Sequence, residues 1–124
     1  MITQQQLDDL EADINDVLQE DSAKLKFSLH FAADRLNDPR NVPPITLEEL
    51  RVIFDVFIKS HLQTILKEND GFSFTIQCEK SFISIPCIIE HDFDIGKKWV
   101  IQQVLTIMRN PKFTAYHKDM IFKV

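Results

Sequence analysis

A chain of 124 residues, 44% hydrophobic with ten Phe and only two Cys, holds enough apolar material for one ordinary core without disulfide or metal staples. No apolar run approaches the roughly 20 residues of a bilayer-spanning helix, and the opening MITQQQLDDLEAD has neither a basic region nor an apolar stretch, so a soluble, intracellular protein is expected. The formal charge of −5 is unevenly placed: residues 1–21 hold seven acids and no Lys or Arg, leaving twelve acids and all fourteen bases to the rest. The whole chain is therefore a poor non-specific nucleic-acid binder, while its body carries no such prohibition.

Residues 3–20 place Leu7, Leu10, Ile14, Val17 and Leu18 at helical spacing among acids, which predicts an amphipathic helix packed by its apolar stripe. Its acidic face has two further uses, as a cover over a basic surface or as a contact for a basic partner. Ser28 can cap a short helix running to about Asn37, with Leu29, Ala32, Ala33 and Leu36 on one face and Pro39 as its stop. DPRNVPPI, residues 38–45, has three prolines and no period, so it reads as a connector. TLEE then forms a capping box, Thr46 with Glu49, opening a long helix that buries Leu47, Leu50, Ile53, Phe54, Phe57, Ile58, Leu62 and Ile65 and ends at Asn69 to Gly71.

From Phe72 the period drops to 2. FSFTIQC, FISIPCIIE and KWVIQQVLTIM read as consecutive strands, the last two joined by HDFDIGKK with Gly96 at the turn. Pro86 suggests an edge position or a bulge in the second. The tail is loop-like until MIFKV, which can add a short last strand. Helices followed by strands give an α+β expectation: one domain, 1–124, with an acidic helix (1–21), a helical part (22–71), and a three- to four-stranded antiparallel meander and tail (72–124), the helices on one face.

The chemistry-bearing stretch is HFAADRLNDPRNVPP, residues 30–44. His30 and Asp34 lie one α-helical turn apart, so the carboxylate can orient the imidazole, and Phe31 and Arg35 are stacked in the same way. Arg35 and Arg40 offer bidentate phosphate donors, His30 a proton-transfer group, and Asn37 and Asn41 base-edge readers. A local alternative remains, in which the same residues cap a helix end and shape a turn. The other histidines carry less. His61 faces the apolar side of the long helix, His91 sits in an acidic hairpin, His117 lies beside Tyr116, and no pair has a zinc spacing. Cys78 and Cys87 lack a Cys-x-x-Cys spacing and fit apolar strands as small hydrophobes. With glycine only at 71 and 96 there is no phosphate-cradling loop and no nucleophile elbow, so no metal and no cofactor is implied.

HFAADRLNDPRNVPPITLEEL, SIPCIIEHD and TIMRNPKF…IFKV together resemble a family of small uncharacterised tailed-bacteriophage proteins over about residues 27–124. This chain differs from some members in one extra residue between Phe31 and Arg35. More distantly, the order of a His- and Arg-bearing helix, an ITLEEL helix and a meander is similar to the RelE-like and barnase-like ribonuclease fold. The resemblance implies a phage-encoded protein of the host cytoplasm that engages RNA or host RNA-handling machinery. If it cleaves RNA as a metal-independent endoribonuclease, Arg35 and Arg40 hold phosphate, His30 moves the proton, and Asn37, Asn41 and Arg109 position the substrate. The rival expectation is a non-enzymatic interaction protein that binds a host or virion protein through its acidic helix and the 30–41 patch.

Overall fold

A computed structural model of the protein describes residues 1–112 and 120–124. The stretch Phe113–Asp119, which includes Tyr116 and His117, lies outside the described residues. The architecture is α+β. Among the described residues two α-helices, α1 (Gln4–Leu18) and α2 (Leu47–Ile65), accompany six strands: β1 (Ala23–Phe27), β2 (Ser73–Cys78), β3 (Ile83–Asp94), β4 (Lys97–Val104), β5 (Met108–Arg109) and β6 (Ile121–Lys123).

The sheet order is β1-β4-β3-β2-β6, with β5 paired to β3 beyond the end of β4. β2, β3 and β4 form the expected antiparallel meander, but β1 joins β4 in parallel and β6 joins β2 in parallel. The sheet is thus larger than the three or four strands expected, and mixed rather than antiparallel. The difference comes chiefly from AKLKF within the supposed helical part, whose alternation of Ala23, Leu25 and Phe27 with Lys24 and Lys26 is that of a strand buried on one face.

β1 lies at the sheet edge, and α1 covers it. The Asn15 side chain accepts from Leu25 N at 2.7 Å and donates to Leu25 O at 3.0 Å, and a Glu11 carboxylate oxygen accepts from Phe27 N at 3.0 Å. Backbone groups that an open edge would leave to other chains are satisfied by helix side chains. Leu7, Leu10, Ile14 and Leu18 are buried as expected, whereas Val17 is 60% exposed. Both helices begin with a full capping box, Thr3 with Gln6 and Thr46 with Glu49. Phe54 and Phe57 are core residues, and Phe57 stacks on Phe74 with ring centroids 5.7 Å apart, fixing α2 to the sheet. His61 Nε2 donates to Lys123 O at 2.9 Å, and the ring packs on Phe122.

Two local departures shape the functional site. Residues His30–Arg35 wind as a π turn, closed by Leu36 N donating to Phe31 O at 2.9 Å. Residues five apart then share a face. Phe31 and Leu36 are buried, with Phe31 stacked on Phe27 at 4.8 Å, while Leu29 and Ala33, expected on the buried face, are exposed. The expected stacking of Arg35 on Phe31 gives way for the same reason to a pairing of Arg35 with His30. Second, the last meander strand breaks at residues 105–107. Pro86 is inside the sheet, opposite Thr75 of β2, rather than on an edge strand. Its carbonyl accepts from Leu105 N at 3.0 Å, but it has no N–H to return to Leu105 O, and the Ser28 hydroxyl donates there instead at 2.9 Å. Ser28 Oγ also accepts from Phe31 N at 3.1 Å, so the serine that caps the π turn is the one that ties it to the broken strand.

Candidate functional site

The π turn and the loop after it face the β4–β5 break across an open cleft of about 580 Å³. His30, Arg35, Asp38, Arg40 and Asn41 line one side, and Thr106, Ile107, Met108 and Arg109 the other. Five of the six sequence-selected residues therefore reach one concavity. Asn37 does not. Its side chain accepts from Ile2 N at 3.1 Å and donates to Ile2 O at 2.8 Å, which pins the N-terminal segment against the loop.

On the rim, His30 Nδ1 lies 3.2 Å from Asp34 Oδ2, and Arg35 Nε donates to His30 Nε2 at 3.0 Å. A guanidinium can only donate, so Nε2 is the acceptor and the imidazole proton sits on Nδ1, directed at Asp34. The bond to Arg35 follows from the π turn, which brings residue i+5 beside residue i. The Arg35 side chain is 38% exposed, and its Nη1 lies 3.9 Å from Asp38 Oδ2. Arg40 is more open, at 74%, with Nη2 donating to Asp38 Oδ2 at 2.8 Å and Nε 3.2 Å from both carboxylate oxygens.

Asp38 is the hub of this rim. The side-chain hydrogen bond from Arg40, its backbone N–H bond, and the charges of Arg40 and Arg35 outweigh partial burial and hold the carboxyl down at about 2. Asp38 therefore stays ionised at any ordinary pH and serves as a hydrogen-bond acceptor, neither taking up nor releasing a proton. The same hydrogen bond raises the Arg40 guanidinium above its ordinary value.

The floor is built differently. Arg109 is 8% exposed and donates from Nε to Pro43 O (2.8 Å), from Nη1 to Ser81 O (2.8 Å), and from Nη2 to Pro44 O (3.3 Å) and Glu49 Oε1 (2.7 Å). Burial opposes ionisation of Glu49, yet hydrogen bonds from Arg109 and Thr46 and the Arg109 charge prevail and lower its pKa. Asn41, buried, donates from Nδ2 to Arg35 O at 2.9 Å and accepts at Oδ1 from Arg109 N at 3.0 Å, joining the end of the π turn to β5. The proline connector, with its cis Val42–Pro43 bond, is held between them. Arg109 and Asn41 thus spend their polar atoms on protein partners and shape the cleft from within.

Sequence reasoning does not single out Asp38 or Thr106. The available signals are the Asp-Pro dipeptide at the helix end and the place of Thr106 in the TIMR run. Among the described residues no group of three or more His, Cys, Asp or Glu side chains is arranged to hold a metal ion, and no helix is long and apolar enough to cross a membrane. Cys78 and Cys87 are free thiols, and burial pushes the Cys87 thiol far up. Comparison of the chain with protein-family models, with curated proteins and with solved structures finds no match.

Proposed function

We propose that the cleft binds the sugar–phosphate backbone of single-stranded RNA, with Arg35 and Arg40 as the phosphate-holding groups, His30 as the acceptor that orients Arg35, and Thr106 as a neighbouring hydrogen-bond partner. One observation carries this reading: two guanidiniums from a six-residue stretch and an imidazole open onto a single concave surface. Planar guanidinium forks match phosphate oxygens, and the anion competes with Asp38 for donors that solvent already reaches. The resemblance to small tailed-phage proteins and to ribonuclease toxins supports RNA as the anion and the cytoplasm of an infected host as the setting.

Binding without cleavage fits the geometry better than an endoribonuclease. Cleavage by 2′-hydroxyl attack needs one group to take a proton and another to give one. The His30 Nε2 lone pair is occupied by Arg35, Asp34 is turned to Nδ1, and Asp38 remains ionised. Arg109, fully engaged with carbonyls and Glu49, supplies no charge to a transition state.

The test is fluorescence anisotropy with a labelled single-stranded oligouridine over a salt series. Two phosphate contacts predict a slope of log K against log salt of about −1.4. The Arg35→Ala/Arg40→Ala double variant is expected to lose the binding. RNA that fails to bind at low salt, or binds the double variant equally well, defeats the reading, and RNA shortened by the wild type but not by His30→Ala restores the endoribonuclease.

A further inference from the structure

We propose that the groove between α1 and α2 is a docking site for a basic amphipathic helix of a partner protein. The groove encloses about 400 Å³ on a part of the surface formed by different residues from the RNA cleft. Leu10 and Ile14 form its floor, and Val17 and Val52 stand in it 60% and 52% exposed. Val17 belongs to the helical stripe whose other members are buried, so the stripe continues past what the domain itself covers. Burial of that remainder falls to something else, because apolar side chains at helical spacing gain from removal from water.

Charge selects the occupant. The two cations at the groove are already neutralised within the protein: Arg51 pairs with Asp13 at 3.2 Å and Lys59 with Asp55 at 3.0 Å. Glu48, the third carboxylate lining the groove, has no ion-pair partner among the described residues. The lining carries the carboxylates of Asp13, Glu48 and Asp55 against the cations of Arg51 and Lys59, a formal balance that is negative, and residues 1–21 contain no Lys or Arg to offset it. On α2 the lining runs from Glu48 to Lys59, a rise of about 16 Å, which suits three turns of a partner helix. An apolar stripe at i, i+3 or i+4 and i+7 would meet Val17 and Val52, and flanking Lys or Arg would meet the acids.

The probe is an 18-residue Leu/Lys peptide of helical amphipathic pattern, with a Leu/Glu peptide of the same pattern as its control, titrated into the full chain by calorimetry. The Leu/Lys peptide is expected to bind and the Leu/Glu peptide not to. The Val17→Asn/Val52→Asn double variant leaves the net charge unchanged and alters only exposed side chains; it is expected to weaken binding at least tenfold while leaving the thermal unfolding midpoint in place. Glu48→Lys is expected to weaken binding several-fold and to flatten its salt dependence. Equal binding of both peptides, unchanged binding by the double variant, or no binding at all overturns the proposal. So does a wild-type dimer in light scattering that the double variant dissociates, since a second copy would then fill the groove. Oligouridine binding rests on residues that do not line the groove and is expected to be unaffected by these variants.

Discussion

Arg109 and Arg40 border the same cleft and occupy opposite physical situations. Arg109 is 8% exposed and bonded to three carbonyls and a carboxylate, whereas Arg40 is 74% exposed and bonded to one carboxylate. A guanidinium with five donors in a fixed fork can either organise the backbone around it or be offered to a ligand, and the number of protein acceptors it meets decides which. The floor of the cleft is therefore architecture, and the rim is the part open to chemistry.

The strongest way to break that distinction is Arg109→Ala. Removing the guanidinium leaves Glu49 partly buried without its cation and strips three carbonyls of a donor, and a loss of about 3 kcal/mol of stability in urea unfolding is expected. Arg109→Lys is expected to recover little of it, because one ammonium cannot span the four acceptors. The pH dependence has a defined sign. The folded state lowers the Glu49 pKa below its ordinary 4.5, so this contribution is fully present above that value and is lost as pH falls through the lower folded pKa. Glu49→Gln is therefore expected to flatten the acid limb of the stability profile below about pH 4.5; a profile identical to wild type there would show that the Arg109–Glu49 pair is not a stabilising contact.

Asn41→Ala comes next. It removes a donor to the Arg35 carbonyl and the acceptor of the Arg109 N–H, and about 2 kcal/mol is expected for those buried groups left without partners. Loss of RNA affinity without loss of stability would move Asn41 from the floor to the ligand-binding rim.

The residues that sequence reasoning places correctly are those whose surroundings are local. The capping box at Thr46, the apolar face with Leu50, Ile53, Phe54 and Phe57, and the alternation of Phe74 and Ile76 each follow from spacing within one element. What escapes is set by partners far along the chain. Asn37 is held by Ile2, 35 residues away, and Arg109 by Glu49, 60 residues away, so residue type alone cannot separate a tether from a ligand group. AKLKF becomes a strand because β4 and α1 supply its two flanks, although its own alternation was readable. The π turn changes which residues meet without changing composition: α-helical spacing pairs His30 with Asp34, and the wider turn adds Arg35.

The β3–β4 turn offers a smaller test of how exposure and cost relate. Ile95 is 98% exposed and sits at φ 51°, followed by Gly96 at φ 72°, in a two-residue connection between Asp94 and Lys97. Glycine accepts that conformation freely, but a β-branched side chain does not, and Ile95→Asn is expected to stabilise the protein by about 1 kcal/mol. A destabilised Ile95→Asn would mean that the isoleucine side chain makes up for its backbone through packing.

The smallest expected change in stability belongs to Arg40→Ala, and it sharpens the comparison most. Arg40 is an exposed member of an ion pair, a class of contact that contributes little to folding, so the unfolding midpoint at neutral pH is expected to stay where it is. Its partner still matters at low pH. Arg40 is the principal cause of the lowered Asp38 pKa, so Asp38 contributes stability above its ordinary 3.8 that is lost as pH falls toward about 2, and Arg40→Ala should remove part of that acid-side dependence. The effect on binding runs the other way. If Arg40 holds a phosphate, its removal weakens oligouridine binding and brings the salt slope closer to zero by about 0.7, one phosphate fewer on a single strand. Unchanged affinity and slope would make Arg40 only the counter-ion of Asp38, and Arg35 alone could not then account for a two-phosphate site.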